Sequence, residues 1–507
     1  MDYLTNHLEM VKEDLLNRRY TTAKERSLSL LKKFPFSPQA WVFLGESLYH
    51  LNFKHEAKKV FERAELLDPQ GGWIDAIKKL DYSAKQSNFS EEIADLLKLP
   101  KVTVAAAILV KNEERCIERC ITSILPAVDE VVVIDTGSTD NTMNIVKSFP
   151  SVKIVEFEWV NDFAAARNAG LKHINSDWVL WIDADEYLNS EDINSVREIA
   201  AIFSQSYEDY IPLLRIGQEN IINGRRSINY DMARMFPMNR GLRYWGKIHE
   251  QIVLEDGRMY HGKFMKKDVK IRVFHDGYDP AIMKDKKKLE RNVALLKEMV
   301  DEDKENPLWW LFYGRETLSL GKVDEAIPIL QKAEELCNKQ VPFGRELELL
   351  MNLIRAFMLK KQYDTAIAYC KKALDIDPNF PDALYYLAQI KIEQALQLYR
   401  EAEQLFIKSK EGFNTFKKGV VSPNTEIRDY LADIGIADVA RLVGHLSAAN
   451  KIYKNVYQIC PLKEQIKKQI DFIEGQRQNL NLDAMSTTAT AISSEKESKV
   501  SLSYIYK

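Results

Sequence analysis

The chain has 507 residues, of which 46% are hydrophobic and 29% charged, so it is long enough and apolar enough for about two to four folded domains. Its formal net charge is −3, whereas nucleic-acid-binding proteins usually have an excess of basic residues. We therefore expect no nucleic acid among its partners. Its five cysteines form no C-x-x-C motif, which argues against a disulfide framework and against a zinc site.

The beginning of the chain has no features of a targeting segment. Residues 1–6 lack the basic and apolar regions of a signal peptide. No apolar run in the sequence approaches the ~20 residues that a membrane-spanning helix needs. The sequence therefore predicts a cytoplasmic protein without a membrane span.

Residues 1–80 have the pattern of paired helices. Large and small residues fall at the offsets of a tetratricopeptide repeat, a helical hairpin with a period of about 34 residues. These residues are Pro38, Trp41, Leu44, Gly45, Leu48, Ala57, Phe61, Ala64 and Pro69. A single unit of this kind cannot bury the apolar faces of its helices. Our hypothesis is that it packs against another element, such as a second copy of the chain in a homo-oligomer. Residues 81–100 are predicted to be a linker.

Residues 101–285 alternate between apolar strands and amphipathic helices, a pattern typical of a mostly parallel sheet. The predicted strands include residues 104–110, 130–135 and 178–182. In such sheets ligands bind at the carboxyl ends of the strands. Asn112, Asp135 and Asp183 each fall at such an end.

Asp183 and Asp185 follow a strand whose apolar run indicates burial on both faces. Side chains alternate along a strand, so the two carboxylates point the same way. A divalent cation between them would offset the repulsion of two like charges. The alternative is that the pair caps the next helix.

The motifs of residues 103–278 together resemble those of family 2 glycosyltransferases with the GT-A fold. They are Val110-Lys-Asn-Glu113, Asp135-Thr-Gly-Ser-Thr-Asp140, Asn161-Asp-Phe-Ala-Ala-Ala-Arg-Asn168 and Asp183-Ala-Asp185. The further motifs Gly246-Lys-Ile-His-Glu250 and Phe274-His-Asp-Gly-Tyr278 are similar to those of peptide and protein glycosyltransferases, namely the flagellin and the bacteriocin (sublancin-type) S-glycosyltransferases.

This resemblance implies transfer of a sugar from a nucleotide-sugar donor, expected to be a UDP-sugar, with inversion at the anomeric carbon. It implies Mn²⁺ or Mg²⁺ as cofactor, with Asp185, Asp183 and His275 as metal ligands. Glu250 is the expected catalytic base, with His249 as its orienting partner or a donor ligand. The predicted donor-binding residues are Asn112, Glu113, Asp135, Asp162, Arg167, Asp183 and Arg234. Purely structural roles remain alternatives for two of these residues. Arg167 could form a salt bridge with Asp135 or Asp162, and His275 could be a structural histidine.

Residues 286–475 repeat the tetratricopeptide pattern and predict a second helical array. One copy begins at Pro307, another spans residues 350–378, and a third begins at Pro381. Residues 476–507 are poor in core residues and are predicted to be a disordered tail. Such arrays bind proteins or extended peptides, so we expect a protein or peptide acceptor. A hydroxyl needs a base more than a thiol does, so Glu250 as the base favours Ser or Thr, as in flagellin. The alternatives are a Cys of a bacteriocin peptide, extension of a glycan or lipopolysaccharide chain, or an inactive repeat scaffold.

Overall fold

The fold is an α/β domain flanked by helices, as predicted. A computed structural model describes residues 3–83, 90–204, 210–222, 225–255, 264–275, 286–339, 344–417 and 422–486. Among these residues, no helix has both the length and the apolar character that crossing a membrane requires.

The centre of the fold is a nine-stranded, mixed sheet. Its strands, with a separate hairpin formed by β9 and β10, are β1 (Val104–Val110), β2 (Glu130–Asp135), β3 (Val152–Glu156), β4 (Trp178–Asp183), β5 (Glu186–Leu188), β6 (Ile211–Ile222), β7 (Arg225–Asn229), β8 (Ala233–Pro237), β9 (Leu242–Trp245), β10 (Gln251–Leu254) and β11 (Phe264–His275). The sheet order is β3-β2-β1-β4-β8-β6-β11-β5, with β7 beside β6. The pairs among β1 to β4 are parallel, whereas β8 and β5 run antiparallel to their neighbours.

Helices precede, cover and follow this sheet. They are α1 (Tyr3–Leu16), α2 (Tyr20–Lys33), α3 (Pro38–His50), α4 (Lys54–Leu67), α5 (Ile74–Lys78), α6 (Glu91–Leu97), α7 (Ile117–Ile124), α8 (Thr142–Lys147), α9 (Phe163–Leu171), α10 (Ile193–Ser204), α11 (Lys286–Glu302), α12 (Pro307–Ser319), α13 (Val323–Cys337), α14 (Glu346–Leu359), α15 (Tyr363–Ile376), α16 (Pro381–Thr415), α17 (Ala432–Leu442), α18 (Leu446–Ile459) and α19 (Lys463–Ser486). Helix α19 continues past residue 475, where we predicted the array to end, and residues 487–507 of the predicted tail lie outside the described residues.

The register of the sheet brings the predicted strand ends together. Val110 pairs with Asp135, and Leu109 pairs with Asp183, so β1, β2 and β4 end at the same edge. At the far end of the sheet His275 pairs with Glu186. The antiparallel pairing of β11 with β5 therefore carries the end of β11 back to the residues that follow β4.

The N-terminal helices pack on the α/β domain of the same chain. Phe36 stacks on Phe203 of α10 with ring centroids 4.7 Å apart, and Lys270 of β11 lies 3.1 Å from Glu65. Within the α3–α4 hairpin, a Cβ on Gly45 would lie 2.7 Å from the ring of Phe61, which explains the small residue at this close approach. The hypothesis that another subunit supports this unit is not needed, because the chain supplies the supporting surface itself.

The chain divides into two compact units, residues 1–356 and 357–507. The first unit contains the N-terminal helices, the sheet and the helices α11 to α13. Repeat-type packing is present there: a Cβ on Gly314 of α12 would lie 2.6 Å from the side chain of Leu330 of α13. The second unit has its own core, which includes Tyr453, Val456 and Ile473. The boundary falls within α14, so the first predicted repeat helices belong to the same unit as the α/β domain.

Candidate active site

Two arginines hold the carboxylate of Asp183 at the end of β4. Nη2 of Arg234 lies 2.9 Å from Oδ2 of Asp183, and Nη2 of Arg167 lies 3.5 Å from Oδ1. Burial disfavours the charged carboxylate, but the two guanidinium groups outweigh burial and lower the pKa of Asp183 to about 2. Asp183 is therefore negatively charged at neutral pH, and protein groups already balance its charge.

Arg167 connects Asp183 to Glu250. Its Nε donates to Oε1 of Glu250 at 2.6 Å. Its guanidinium lies over the rings of Trp181 and Tyr244, 4.6 and 5.4 Å from their centroids. Burial alone would disfavour its charge, but the two acids outweigh burial and raise the pKa of Arg167. A planar cation that is stacked and ion-paired in this way has little rotational freedom, so it fixes the distance between the two acids.

A buried acid that we had not predicted, Glu186, completes this network. Its Oε2 accepts from Nη1 of Arg234 at 2.7 Å and from the N–H of Asp183 at 2.9 Å, while its Oε1 accepts from Gln218 at 2.6 Å. Burial raises the pKa of Glu186, against the opposing effect of Arg234. The sequence does contain a signal, because an acid directly after Asp183-Ala-Asp185 begins a short strand, where alternation directs it inward. We predicted a role in the site only for Asp183 and Asp185.

Asp185 and His275 form a second pair beside the arginine network. Nε2 of His275 lies 3.2 Å from Oδ2 of Asp185, and both side chains are partly exposed. The hydrogen bond to Asp185 raises the pKa of His275, although burial acts in the opposite direction. The sheet register thus brings together two of the predicted metal ligands that are 90 residues apart. In the described parts of the chain, no group of three or more His, Cys, Asp and Glu residues is arranged to hold a metal ion.

Asn112 and Asp135 join the loops that follow β1 and β2. Oδ1 of Asn112 accepts from the N–H of Thr139 at 2.7 Å, and the N–H of Asn112 donates to the hydroxyl of Ser138 at 3.0 Å. Asp135 is buried and accepts from the N–H groups of Gly137 and Ser138. These contacts connect the two loops at the sheet edge, and they engage polar atoms of Asn112 and Asp135 for which donor binding stays a prediction.

Two other predicted donor-binding residues have local partners. Glu113 accepts from the thiol of Cys116 at 3.1 Å, and burial raises the pKa of Glu113. Asp162 is the N-cap of α9, where its side chain accepts from the N–H of Ala165 at 2.8 Å. Such a cap is a common structural role for Asp. For both residues, donor binding stays a prediction.

The loop between β9 and β10, which we call the 246–250 loop, supplies Glu250 and His249. The Asn168 side chain bonds both the N–H and the carbonyl of Tyr244 just before this loop, at 2.8 Å each. Glu250 is 9% exposed and faces Arg167. The ring of His249 faces α12 instead, where its Nε2 lies 2.9 Å from Oε1 of Glu316. The two residues that we predicted to act together therefore contact different parts of the protein.

Comparison with known proteins finds two protein families whose models match parts of this chain. Residues 106–266 match the protein-family model described as Glycosyl transferase family 2, and residues 348–380 match the model described as Tetratricopeptide repeat. The first match includes the strand ends, both arginines and Glu250, whereas His275 lies beyond it.

Two curated relatives and one solved structure indicate how far the similarity extends. The SPbeta prophage-derived glycosyltransferase SunS of Bacillus subtilis (strain 168) is 32% identical over 256 residues, which are 50% of this chain and 58% of that protein. An uncharacterized glycosyltransferase of Rickettsia typhi is 34% identical over 145 residues, 28% of this chain and 46% of that protein. The crystal structure of S. aureus TarS 1-349 is 16% identical with a TM-score of 0.28, covering 50% of this chain and 80% of that one.

The chain thus spans little more than half of the length of the first of these relatives. The strands, the edge at which β1, β2 and β4 end and the matching segment all belong to one α/β domain. The expected mostly parallel, GT-A-like sheet is confirmed. The chain therefore contains a glycosyltransferase domain of family 2, and it carries a tetratricopeptide repeat.

Proposed function

We propose that this chain transfers a sugar from a nucleotide-sugar donor to a side chain of a protein acceptor, with inversion at the anomeric carbon. The observation that carries the proposal is the continuous set of ion pairs from Asp183 through Arg167 to Glu250. This set fixes a strand-end acid on the donor side relative to an acid in the 246–250 loop. A single displacement needs two such groups, one near the leaving diphosphate and one near the attacking atom.

On the donor side, Asp185 and His275 are the proposed protein ligands of Mn²⁺ or Mg²⁺. A carboxylate oxygen and an imidazole nitrogen fit such an ion, and ions bound to nucleotides commonly take their remaining ligands from phosphates and water. When bound, the ion would neutralise the diphosphate as the sugar–oxygen bond breaks. We propose that Asp183 contacts the donor rather than the metal, because two arginines already balance its charge. Asn112 and Asp135 would position the nucleotide of a UDP-sugar.

On the acceptor side, Glu250 is the proposed base. It would take the proton of the acceptor as the acceptor atom attacks the anomeric carbon, and Arg167 would keep its carboxylate oriented. Because Arg167 and Arg234 are both engaged with acids, we assign them to positioning these acids and not to direct binding of the diphosphate.

The acceptor that we propose is a Ser or Thr hydroxyl of a protein such as flagellin. The tetratricopeptide repeat supports a protein acceptor, because repeats of this kind present surfaces that bind proteins or extended peptides. The proposed base Glu250 supports a hydroxyl, because a hydroxyl needs help from a base to attack. A sugar acceptor would not need such a surface.

A Cys acceptor in a peptide is a second candidate, and one observation favours it. Oε1 of Glu250 is already bonded to Arg167 at 2.6 Å, so a proton would move to Glu250 against the attraction of the guanidinium. A thiol ionises much nearer neutrality than a hydroxyl and needs less help from a base.

The test is intact-protein mass spectrometry of flagellin and of a Cys-containing bacteriocin peptide, each incubated with the full chain, Mn²⁺ and a panel of nucleotide sugars. The proposal predicts a mass gain of one hexose or N-acetylhexosamine that disappears with Asp185→Ala. Metal-dependent release of nucleotide without a gain on any protein would point to a glycan acceptor. If no donor gives either release of nucleotide or transfer of sugar, the chain is the inactive repeat scaffold.

A further inference from the structure

The 246–250 loop is packed against α12, the helix at Pro307 with which a predicted repeat copy begins. The ring of Trp245 meets Trp309 of α12 edge to face, with centroids 4.9 Å apart. Gly246 has a φ of 106°, and a Cβ at this position would lie 2.7 Å from Trp309. Only glycine adopts this backbone conformation readily and leaves room for the indole. The shape of the loop therefore depends on a helix that lies about 60 residues further along the chain.

His249 is the polar contact between this loop and α12. Its backbone has a φ of 50°, which is unusual for a residue with a side chain. Its ring lies 2.9 Å from Oε1 of Glu316 and 3.3 Å from Nη2 of Arg315, and it lies beside Phe312 with centroids 5.2 Å apart. A strained backbone persists only where its surroundings hold it. Here α12 supplies these contacts to the ring, and the side-chain amide of Gln251 donates to the backbone carbonyl of His249 at 2.7 Å.

Glu316 is buried and charged. Burial acts to raise its pKa, but the hydrogen bond and charge of His249, together with Arg315, outweigh burial and lower the pKa of Glu316. Arg315 also donates to Oε1 of Glu348 at 2.8 Å, and Glu348 accepts from Arg345 at 2.7 Å. Arg315 also donates to Oε1 of Glu316 at 3.4 Å, so a side chain that is itself tied to α14 helps to hold Glu316 beside the imidazole.

We propose that Glu316 is a positioning residue for glycosyl transfer: it anchors His249 and thereby holds the adjacent Glu250 at Arg167. The proposal rests on the function proposed above and assigns His249 to positioning instead of to contact with the substrate. It also makes α12 a part of the active site. A glycosyltransferase domain that ended at residue 285 would lack this anchor.

An exposed ion pair on the same loop provides a matched control. Lys247 pairs with Glu302 of α11 at 2.7 Å, and the side chain of Glu302 is 63% exposed. Exposed pairs of this kind contribute little to stability. Glu302→Ala therefore removes an acid that contacts the same loop, from a neighbouring helix, without disturbing the buried anchor.

The experiment compares Glu316→Ala with Glu302→Ala in the full chain, by amide hydrogen exchange over residues 245–251 and by steady-state kinetics of transfer. We expect about tenfold faster exchange in Glu316→Ala, because local opening becomes easier. We expect kcat to fall about 10- to 100-fold, because Glu250 is displaced, while the donor KM changes by less than about twofold. In a His249→Ala background, Glu316→Ala should cause no further loss, because Glu316 acts through His249. Glu302→Ala should match the wild type in both measurements.

Unchanged exchange in the 246–250 loop of Glu316→Ala would overturn the proposal, whether or not the protein is active. An additional loss in the His249→Ala background would also overturn it, because Glu316 would then act by another route. If the wild type turns over no donor at all, the proposed function fails, and the exchange measurement still decides whether Glu316 orders the loop.

Discussion

The strand-end residues and the 246–250 loop both supply acids to the site, but different structures hold them. Asp183 is the last residue of β4, whose parallel register with β1 is fixed over six residue pairs, and Asp185 lies two residues further along. Glu250 lies in a loop that depends on Arg167 on one side and on α12 on the other. The sheet edge is thus set by regular backbone pairing, whereas the loop is set by side chains from distant parts of the chain.

This difference suggests that donor binding and transfer can be separated. Substitutions in the loop should spare the donor site, because the sheet positions that site without help from the loop. Substitutions at the sheet edge should weaken donor binding and transfer together. Arg167 is the one described residue with an ion pair to an acid of each region, so its loss should affect both.

The largest effect is expected for Glu250→Gln. Removing the base should lower the rate of transfer to a hydroxyl by about 10³-fold, within the range for general base catalysis. Single-turnover kinetics with saturating donor would measure this loss. Glu255→Gln, which changes an exposed acid at the end of the same hairpin, should keep full activity. Turnover of Glu250→Gln within a few-fold of the wild type would show that Glu250 is not the base.

The next effect is expected for Asp185→Asn. Loss of one of two protein ligands should lower turnover about 10²-fold at a fixed Mn²⁺ concentration and raise the Mn²⁺ concentration needed for half-maximal rate. A Mn²⁺ titration of donor hydrolysis would show this shift. Glu191→Gln, at an acid whose side chain is 73% exposed, is the control. An unchanged metal requirement would remove Asp185 from the proposed metal site.

Arg167→Met should destabilise the first unit by about 3 kcal/mol, because it leaves the buried carboxylate of Glu250 unpaired and removes one of two cations from Asp183. Urea unfolding would measure this loss. Lys59→Met, which breaks an exposed pair with Glu62, should cost less than about 1 kcal/mol. Equal stability of the two variants would mean that Arg167 does not hold these acids together.

The smallest effect is expected for Glu316→Gln, whose loss of unfolding free energy should depend on pH. The pKa of Glu316 is lowered in the folded protein, so its stabilising contribution is present above the unfolded value of about 4.3 and is lost as the pH falls through the folded value. The substitution should therefore cost about 1–2 kcal/mol at pH 7 and less at pH 4. Urea unfolding at both pH values would measure the difference. A cost that is the same at both would mean that the charge of Glu316 does not stabilise the fold.

The two regions also differ in how far the sequence predicted them. The bounds predicted for the strands at 104–110 and 130–135 agree with the structure, and the strand predicted at 178–182 extends one residue further, to Asp183. The agreement is close because strands buried on both faces appear as uninterrupted apolar runs. The parallel arrangement also predicted correctly that these strands end at the same edge of the sheet.

The partners of the charged residues were not predictable in the same way. We offered Asp135 or Asp162 as salt-bridge partners for Arg167, but the structure pairs it with Asp183 and Glu250. Glu250 is 83 residues away from Arg167, and Glu316 is 67 residues away from His249. No local periodicity reports contacts at such distances, since they depend on how helices pack on the sheet. The sequence therefore led us to pair His249 with Glu250, its neighbour in the chain, and we did not see its contact with α12.

The most direct test of the separation between the two regions is the binding of the donor by the Glu250→Gln chain. Isothermal titration of a hydrolysis-resistant analogue of the nucleotide sugar, in the presence of Mn²⁺, would give its Kd for the wild type, for Glu250→Gln and for Asp185→Asn. We predict that Glu250→Gln binds the donor within about twofold of the wild type although it has lost transfer, and that Asp185→Asn binds it at least about tenfold more weakly. Loss of donor binding in Glu250→Gln as large as that in Asp185→Asn would contradict the account.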